Sequence, residues 1–179
     1  TGGNGINVSN SSISLDSNIK GVILGVSESL PNSNTNFTLD QTPTQPGDST
    51  YDFTTSITIP SGFTKVWVEL SGGIFYGRNG VSIYCRFKAT DNNNNITYFG
   101  GSSSQILVGQ FNSYISSINN RSITTFSSQI ETLTENTTYD INFELWSSTE
   151  DTTKGVLFGN GTSSNDYPPL KLIIHGLRN

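Results

Sequence analysis

Tyr139-Asp-Ile-Asn-Phe-Glu-Leu-Trp146 alternates apolar and polar side chains without a break. Successive side chains of an extended chain point to opposite faces. Tyr139, Ile141, Phe143 and Leu145 therefore share one side, and Asp140, Asn142, Glu144 and Trp146 the other. A 3.6-residue period would scatter the same four apolar groups, so the stretch predicts a strand with one dry and one wet face.

The pattern recurs along the chain. Tyr51, Phe53, Thr55, Ile57 and Ile59 alternate up to the break at Pro60-Ser-Gly62. Val66, Val68 and Leu70 give the next dry face, with Lys65, Trp67 and Glu69 opposite and Gly72-Gly73 closing it. Val81, Ile83, Cys85 and Phe87 give a third, with Tyr84, Arg86 and Lys88 outside. Asp91 to Asn95 is a polar tip of the hairpin kind, and Ile96 and Tyr98 lead back from it. Ile106-Leu-Val108, Ile130 to Leu133, Gly155-Val-Leu-Phe158 and Leu170 to Ile174 supply further apolar segments. Eight to ten strands with no helix predict an all-β protein, an antiparallel β-sandwich or jelly roll. The apolar final strand is expected at the centre of a sheet.

The first 50 residues are different. Ile6 and Val8, then Ile13 and Leu15, form two very short alternations with too little apolar mass to fold alone. Gly21 to Val26 has the length of one buried strand. Residues 27–50 are polar, hold Pro31, Pro43 and Pro46, and offer one brief alternation at Phe37 and Leu39. The division expected is a thin extended segment over 1–50 and a sandwich over 51–179.

Composition narrows the function classes. Charged residues are 13% of the chain, so 26 Ser, 22 Thr and 20 Asn must build the polar surface. Short polar side chains compete for backbone hydrogen bonds, which favours strands and turns over helix interiors. A net charge of -5 argues against a nucleic-acid partner, and no apolar run has the length for membrane insertion. Seven Asn-x-Ser/Thr sequons start at Asn7, Asn10, Asn36, Asn95, Asn120, Asn136 and Asn160. With 48 Ser and Thr in 179 residues, 20 Asn give about five by chance, so seven carry no inference. The chain lacks Met, which suggests a processed product or a piece of something longer. Cys85 has no partner in its own chain and reads as a small buried hydrophobe.

Catalytic chemistry is not visible. His175 is the only histidine and sits in the last strand pattern without a nucleophile or acid in register, so a structural or subunit-contact role is expected. One His and one Cys are too few for a usual zinc site. Asp91-x-Asn93-x-Asn95 opens like a calcium loop, but Ile96 and Ser102 stand where Gly and the bidentate Glu belong. Gly100-Gly-Ser-Ser-Ser104 lacks the ending of a phosphate loop. The expectation is a non-enzyme without cofactor or metal.

Trp67, Tyr84 and Trp146 fall on the wet sides of their strands, and large rings there imply a covered face. The cover can be a neighbouring subunit, residues 21–50 of the same chain, or a stacked sugar. Trp67, Tyr84, Trp146 and His175 are the candidate subunit-contact residues. Receptor contacts are expected on loops, where Tyr76, Arg78 and Asn79, and Tyr114, Asn120 and Arg121, combine aromatic, amide and guanidinium groups suited to sugar hydroxyls.

Two stretches resemble a known family. Thr1-Gly-Gly-Asn-Gly-Ile-Asn-Val8 followed by Ile13-Ser-Leu15 is similar to bacteriophage tail-fibre shafts, in which three chains wind together. Tyr51 to Gly73, with its Pro60-Ser-Gly62, Val66-Trp-Val68 and Gly72-Gly73, resembles the opening of phage tail-fibre heads and, more generally, jelly rolls of the C1q/tumour-necrosis-factor type. The phage heads often continue into long glycine runs. This chain continues into Ile74-Phe-Tyr76, so no binding site is carried over from such runs. The resemblance implies a homotrimeric fibre or spike head in the virion. Its partners would be other virion proteins and a host-surface glycan or protein. The alternatives are a decoration or minor capsid protein that binds the shell, and a carbohydrate-binding module or glycosidase appendage.

Overall fold

The computed structural model describes residues 6–9, 12–15, 20–28, 35–45, 53–77, 81–101, 106–111, 120–122, 125–148, 155–159 and 167–179. Among these every regular element is a strand. The strands are β1 (Ile6–Ser9), β2 (Ser12–Leu15), β3 (Gly21–Glu28), β4 (Thr35–Thr38), β5 (Thr55–Thr58), β6 (Lys65–Ser71), β7 (Ile74–Gly77) and β8 (Val81–Asp91). They continue as β9 (Ile96–Tyr98), β10 (Ile106–Phe111), β11 (Asn120–Ser122), β12 (Phe126–Ser127), β13 (Glu131–Thr132), β14 (Thr138–Ser147), β15 (Gly155–Phe158) and β16 (Lys171–Leu177).

The pairings are nested. β8 pairs with β9 and β10, β6 with β12 and β13, β5 with β14, and β3 with β16, all antiparallel. A ribbon folded on itself in this order, then rolled, is a jelly roll. Rolling adds the contacts between β14 and β8 and between β16 and β6. Two sheets result, in the orders β10-β8-β14-β5 and β12-β6-β16-β3. The all-β jelly roll expected from sequence is the observed architecture.

A third sheet, β11-β7-β15-β4, extends the second. β7 follows β6 after Gly72-Gly73, and β15 precedes β16 on the matching row. Leu157 pairs with Ile74 on one side of the break, and Lys171 with Ser71 on the other. Gly72 and Gly73 have φ of 79° and 64°, a left-handed backbone that side chains disfavour. A Cβ on Gly72 would lie 1.9 Å from the Pro169 carbonyl oxygen, so the crossing chain needs glycine here.

The dry faces meet in one core. Val66, Val68, Leu70, Leu172 and Ile174 of one sheet pack with Ile83, Cys85, Phe87, Ile141, Phe143 and Leu145 of the other, all essentially without solvent contact. Phe143 is central: its ring meets Phe53 at 5.3 Å and Phe87 at 6.5 Å, and Phe53 meets Phe158 at 5.7 Å. Aromatic pairs at this spacing add to the area they bury. Burial pushes the Cys85 thiol well above its ordinary range, with the Glu144 charge adding to it. The reading of Cys85 as a buried hydrophobe stands.

Residues 21–45, which the sequence places in the extended segment, contribute to the sheets. β3 pairs along its length with β16, and β4 with β15. Thr44 then exchanges two backbone hydrogen bonds with Leu145, at 3.0 and 2.8 Å. β3 is an edge strand, not the buried strand expected, and Ile23 and Val26 are 64% and 53% exposed. β16 lies between β6 and β3, a central place as expected of its apolar sequence. β1 and β2 form the predicted short pair, with Ile6 opposite Leu15 and Val8 opposite Ile13.

Two substitutions test this packing. Gly72→Ala should cost at least about 2 kcal/mol, from a left-handed backbone plus a clash with Pro169. Phe143→Ala should cost about 3–5 kcal/mol through the cavity it leaves. Urea unfolding followed by tryptophan fluorescence measures both.

Candidate functional site

The inner faces of the two main sheets share one core, so their outer faces look in opposite directions. This divides the four candidate contact residues. Trp67 and His175 lie on the outer face of β12-β6-β16-β3, directly opposite in register. Tyr84 and Trp146 are opposite in register on the outer face of β10-β8-β14-β5. The four cannot line one axis. Strand alternation assigns a side of a strand, and nothing local assigns the strand to a sheet.

On the first face, the Trp67 and His175 rings stack at 4.3 Å and 6° between planes. His175 pairs on its other side with Ile23, so an aromatic and apolar row crosses three strands. The next row holds Glu69, Ile173 and Val26, and the row beyond holds Ser71, Lys171 and Glu28. Lys171 and Glu28 form an ion pair at 3.1 Å. His175 Nε2 is buried and lacks a hydrogen-bond partner among the described residues, with Glu69 Oε2 at 4.0 Å, too far to serve. Ile130, 54% exposed, joins β12 to β13 beside β6.

The second face is built on the long β8–β14 ladder. Trp146 stacks on Tyr84 at 5.6 Å and 26°. One row on, Glu144 stands opposite Arg86, and Lys88 follows two residues later on β8. Arg86 Nε donates to Glu144 Oε2 at 2.5 Å and Lys88 Nζ to Glu144 Oε1 at 2.8 Å. The Arg86 guanidinium lies 4.8 Å from the Tyr98 ring centre and 5.7 Å from that of Trp146. Such cation–π contacts hold the guanidinium in place. Burial pushes the Glu144 carboxyl up, but hydrogen bonds from Lys88 and Arg86, with their charges, outweigh it. The net effect holds Glu144 below its ordinary value of 4.5. Asn142, on the same face, is only 8% exposed, and its Oδ1 lacks a hydrogen-bond partner. At the far end of the face Asp140 accepts a hydrogen bond from Ser56.

Each ring in both pairs gives one of its two faces to its partner. Within residues 21–45, the described β3 joins the edge of one sheet and Thr44 bridges to Leu145 of the other.

The loop candidates fare differently. Tyr76, expected with an open ring, lies in β7 and is 7% exposed. β11 pairs with β7, setting Arg121 opposite Tyr76 and Asn120 opposite Gly77. Those two residues are thus in a strand, not a loop. Arg78, Asn79 and Tyr114 lie outside the described residues. Asp91 is committed to its own turn: its carboxylate accepts from Asn95 Nδ2 and from the backbone amides of Asn93 and Asn95, all at 2.8–2.9 Å. The Asn95 side-chain bond leads the effects that lower its pKa. The described residues hold no group of three His, Cys, Asp or Glu that suits a metal, and no helix long and apolar enough to cross a membrane.

The cluster of Arg86, Lys88, Glu144, Asn142 and Tyr98 was not singled out by the sequence. A signal existed. Arg86, Lys88 and Glu144 all have wet-side parity, so pairing their two strands brings opposite charges together. That pairing is non-local and invisible to periodicity.

No family model matches the sequence, and no curated protein matches it. Solved structures share a general likeness. A structure of infectious bursal disease virus, Gt strain, is 11% identical with a TM-score of 0.30, over 97% of this chain and 42% of that one. The VP2 subviral particle of infectious bursal disease virus is 12% identical with a TM-score of 0.33, over 97% of this chain and 41% of that one. The chain spans about two-fifths of the length of these neighbours. At this level the likeness carries no conclusion about function, and the jelly-roll assignment rests on the strand pairing.

Glu144→Gln should lower stability by about 1–2 kcal/mol at neutral pH, because two cations lose their shared carboxylate. The depressed Glu144 pKa stabilises the fold fully above 4.5, and this contribution disappears as pH falls through the lower folded value. The gap between wild type and Glu144→Gln should therefore narrow in urea titrations run from about pH 6 to about pH 3.

Proposed function

We propose that the chain is a virion structural protein, the head of a homotrimeric fibre or spike that attaches to a host-surface receptor, without catalysis. The observation that carries this reading is the outer face of β12-β6-β16-β3. Of the four large hydrophobic residues that stand exposed among the described residues, Ile23 and Val26 lie on this face and Ile130 beside it. Only Ile96, in β9, lies elsewhere. Apolar side chains concentrated on one sheet face mark an interaction surface. A neighbouring copy would also supply a partner for buried His175 Nε2. Trp67 and His175 are then subunit-contact residues, whereas Tyr84 and Trp146 are left for another partner.

The number three comes from the resemblance of residues 1–15 to tail-fibre shafts. β1 and β2 are four residues each and pair Ile6 with Leu15 and Val8 with Ile13. Strands this thin gain stability by sharing a core with copies of themselves. Several weak receptor sites on one particle then act together, which raises avidity without raising the affinity of any single site.

Sedimentation equilibrium of the purified chain tests the reading. A trimer is expected, and Ile23→Glu with Val26→Glu should yield folded monomers. A wild-type protein that stays monomeric at tens of micromolar would overturn it, and binding to empty shells without receptor binding would favour a decoration protein.

A further inference from the structure

We propose that the outer face of β10-β8-β14-β5, around Arg86, Lys88, Tyr98, Asn142, Glu144 and Trp146, binds a carboxylate-bearing saccharide. This deepens the attachment reading and rests on it for the choice of a sugar.

The face presents hydrogen-bonding groups fixed in position but unfilled. Arg86 commits Nε to Glu144, and its guanidinium is held by Tyr98 and Trp146. Its two Nη groups have no acceptor among the described residues. A planar fork with two parallel donors matches a carboxylate. Lys88 spends one of its three N–H groups on Glu144. Two cations against one carboxylate leave a local surplus of one positive charge, in a chain of net charge -5. The next acid along β14 on this face is Asp140, four residues and about 13 Å from Glu144 and bonded to Ser56. That is beyond the screening length of roughly 8 Å at physiological salt.

Asn142 adds the second requirement. Its Oδ1 is buried without a donor, on the row next to Glu144. A buried acceptor left unfilled is costly, and such groups in native proteins ordinarily meet a partner. A simple carboxylate has no donor to offer. A sugar acid carries the carboxylate for Arg86 and Lys88 together with ring hydroxyls that donate to Asn142. Trp146 and Tyr84 each give one ring face to the other, and recognition runs chiefly through these polar groups beside the rings.

Isothermal titration of the intact protein with sodium glucuronate, glucose and acetate, and with an acidic tetrapeptide, tests the proposal. Saturable binding of glucuronate is expected, at least about tenfold tighter than the other three. Arg86→Lys keeps the charge but loses the fork, and should weaken glucuronate by about tenfold or more in a protein that still unfolds cooperatively. Independently of any variant, the two indole N–H resonances of the 15N-labelled protein report the place: Trp146 should shift with glucuronate and Trp67 should not. Equal binding of glucose, acetate or the peptide, absence of saturation, or a shift confined to Trp67 would each overturn the site. A trimer that ignores glucuronate refutes this site alone, whereas a monomer that binds it refutes the assembly alone.

Discussion

The β8–β14 ladder holds the molecule together. It runs from Tyr139 opposite Asp91 to Ser147 opposite Ile83, the longest register in the protein's described sheets. Toward the core it sets Phe143 beside Phe87, and toward solvent Glu144 beside Arg86 and Trp146 beside Tyr84. Because the side chains of a strand alternate strictly, one register fixes both. A slip of one residue would carry Phe143 outward and Glu144 inward, so the buried rings enforce the geometry of the polar cluster. The site is thereby placed on two central strands and not on loops, which favours preorganised contacts.

Around this ladder the chain has solved the problem of few charges. Ser, Thr and Asn outnumber the charged residues, and among the described residues five of the charged groups form ion pairs. Arg86, Lys88 and Glu144 share one face, and Lys171 and Glu28 pair on the other. The two outer faces consequently differ in kind. Among the described residues, one carries a charge network whose Arg86 Nη groups lack acceptors, and the other carries an apolar row with one buried imidazole nitrogen unpaired. Under the proposed function, one surface would meet copies of the chain and the other what it attaches to.

Much of the fold was legible in the sequence, and the reasons are local. Tyr139, Ile141, Phe143 and Leu145 are buried as their alternation required, and so are Val66, Val68, Leu70, Ile83, Cys85 and Phe87. Gly72-Gly73 ends a strand as expected. What escaped was non-local. Gly21 to Val26 reads as a buried strand because it is apolar, yet its only sheet neighbour among the described strands is β16, and Ile23 is left outside. Asn142 reads as wet, yet it is only 8% exposed. Tyr76 follows a Gly-Gly break and reads as loop, yet β7 resumes the sheet past the kink. The candidate cluster escaped for the same reason, since Arg86 and Glu144 at its centre are 58 residues apart.

The division of labour between the two outer faces is most directly tested by hydroxyl-radical footprinting of the assembled protein against its dissociated Ile23→Glu, Val26→Glu form. Assembly should protect Trp67 and His175 from oxidation while Trp146, Tyr84 and Tyr98 react equally in both. Protection of Trp146 with Trp67 unchanged would contradict the account, since the copies would then meet on the face reserved for the ligand.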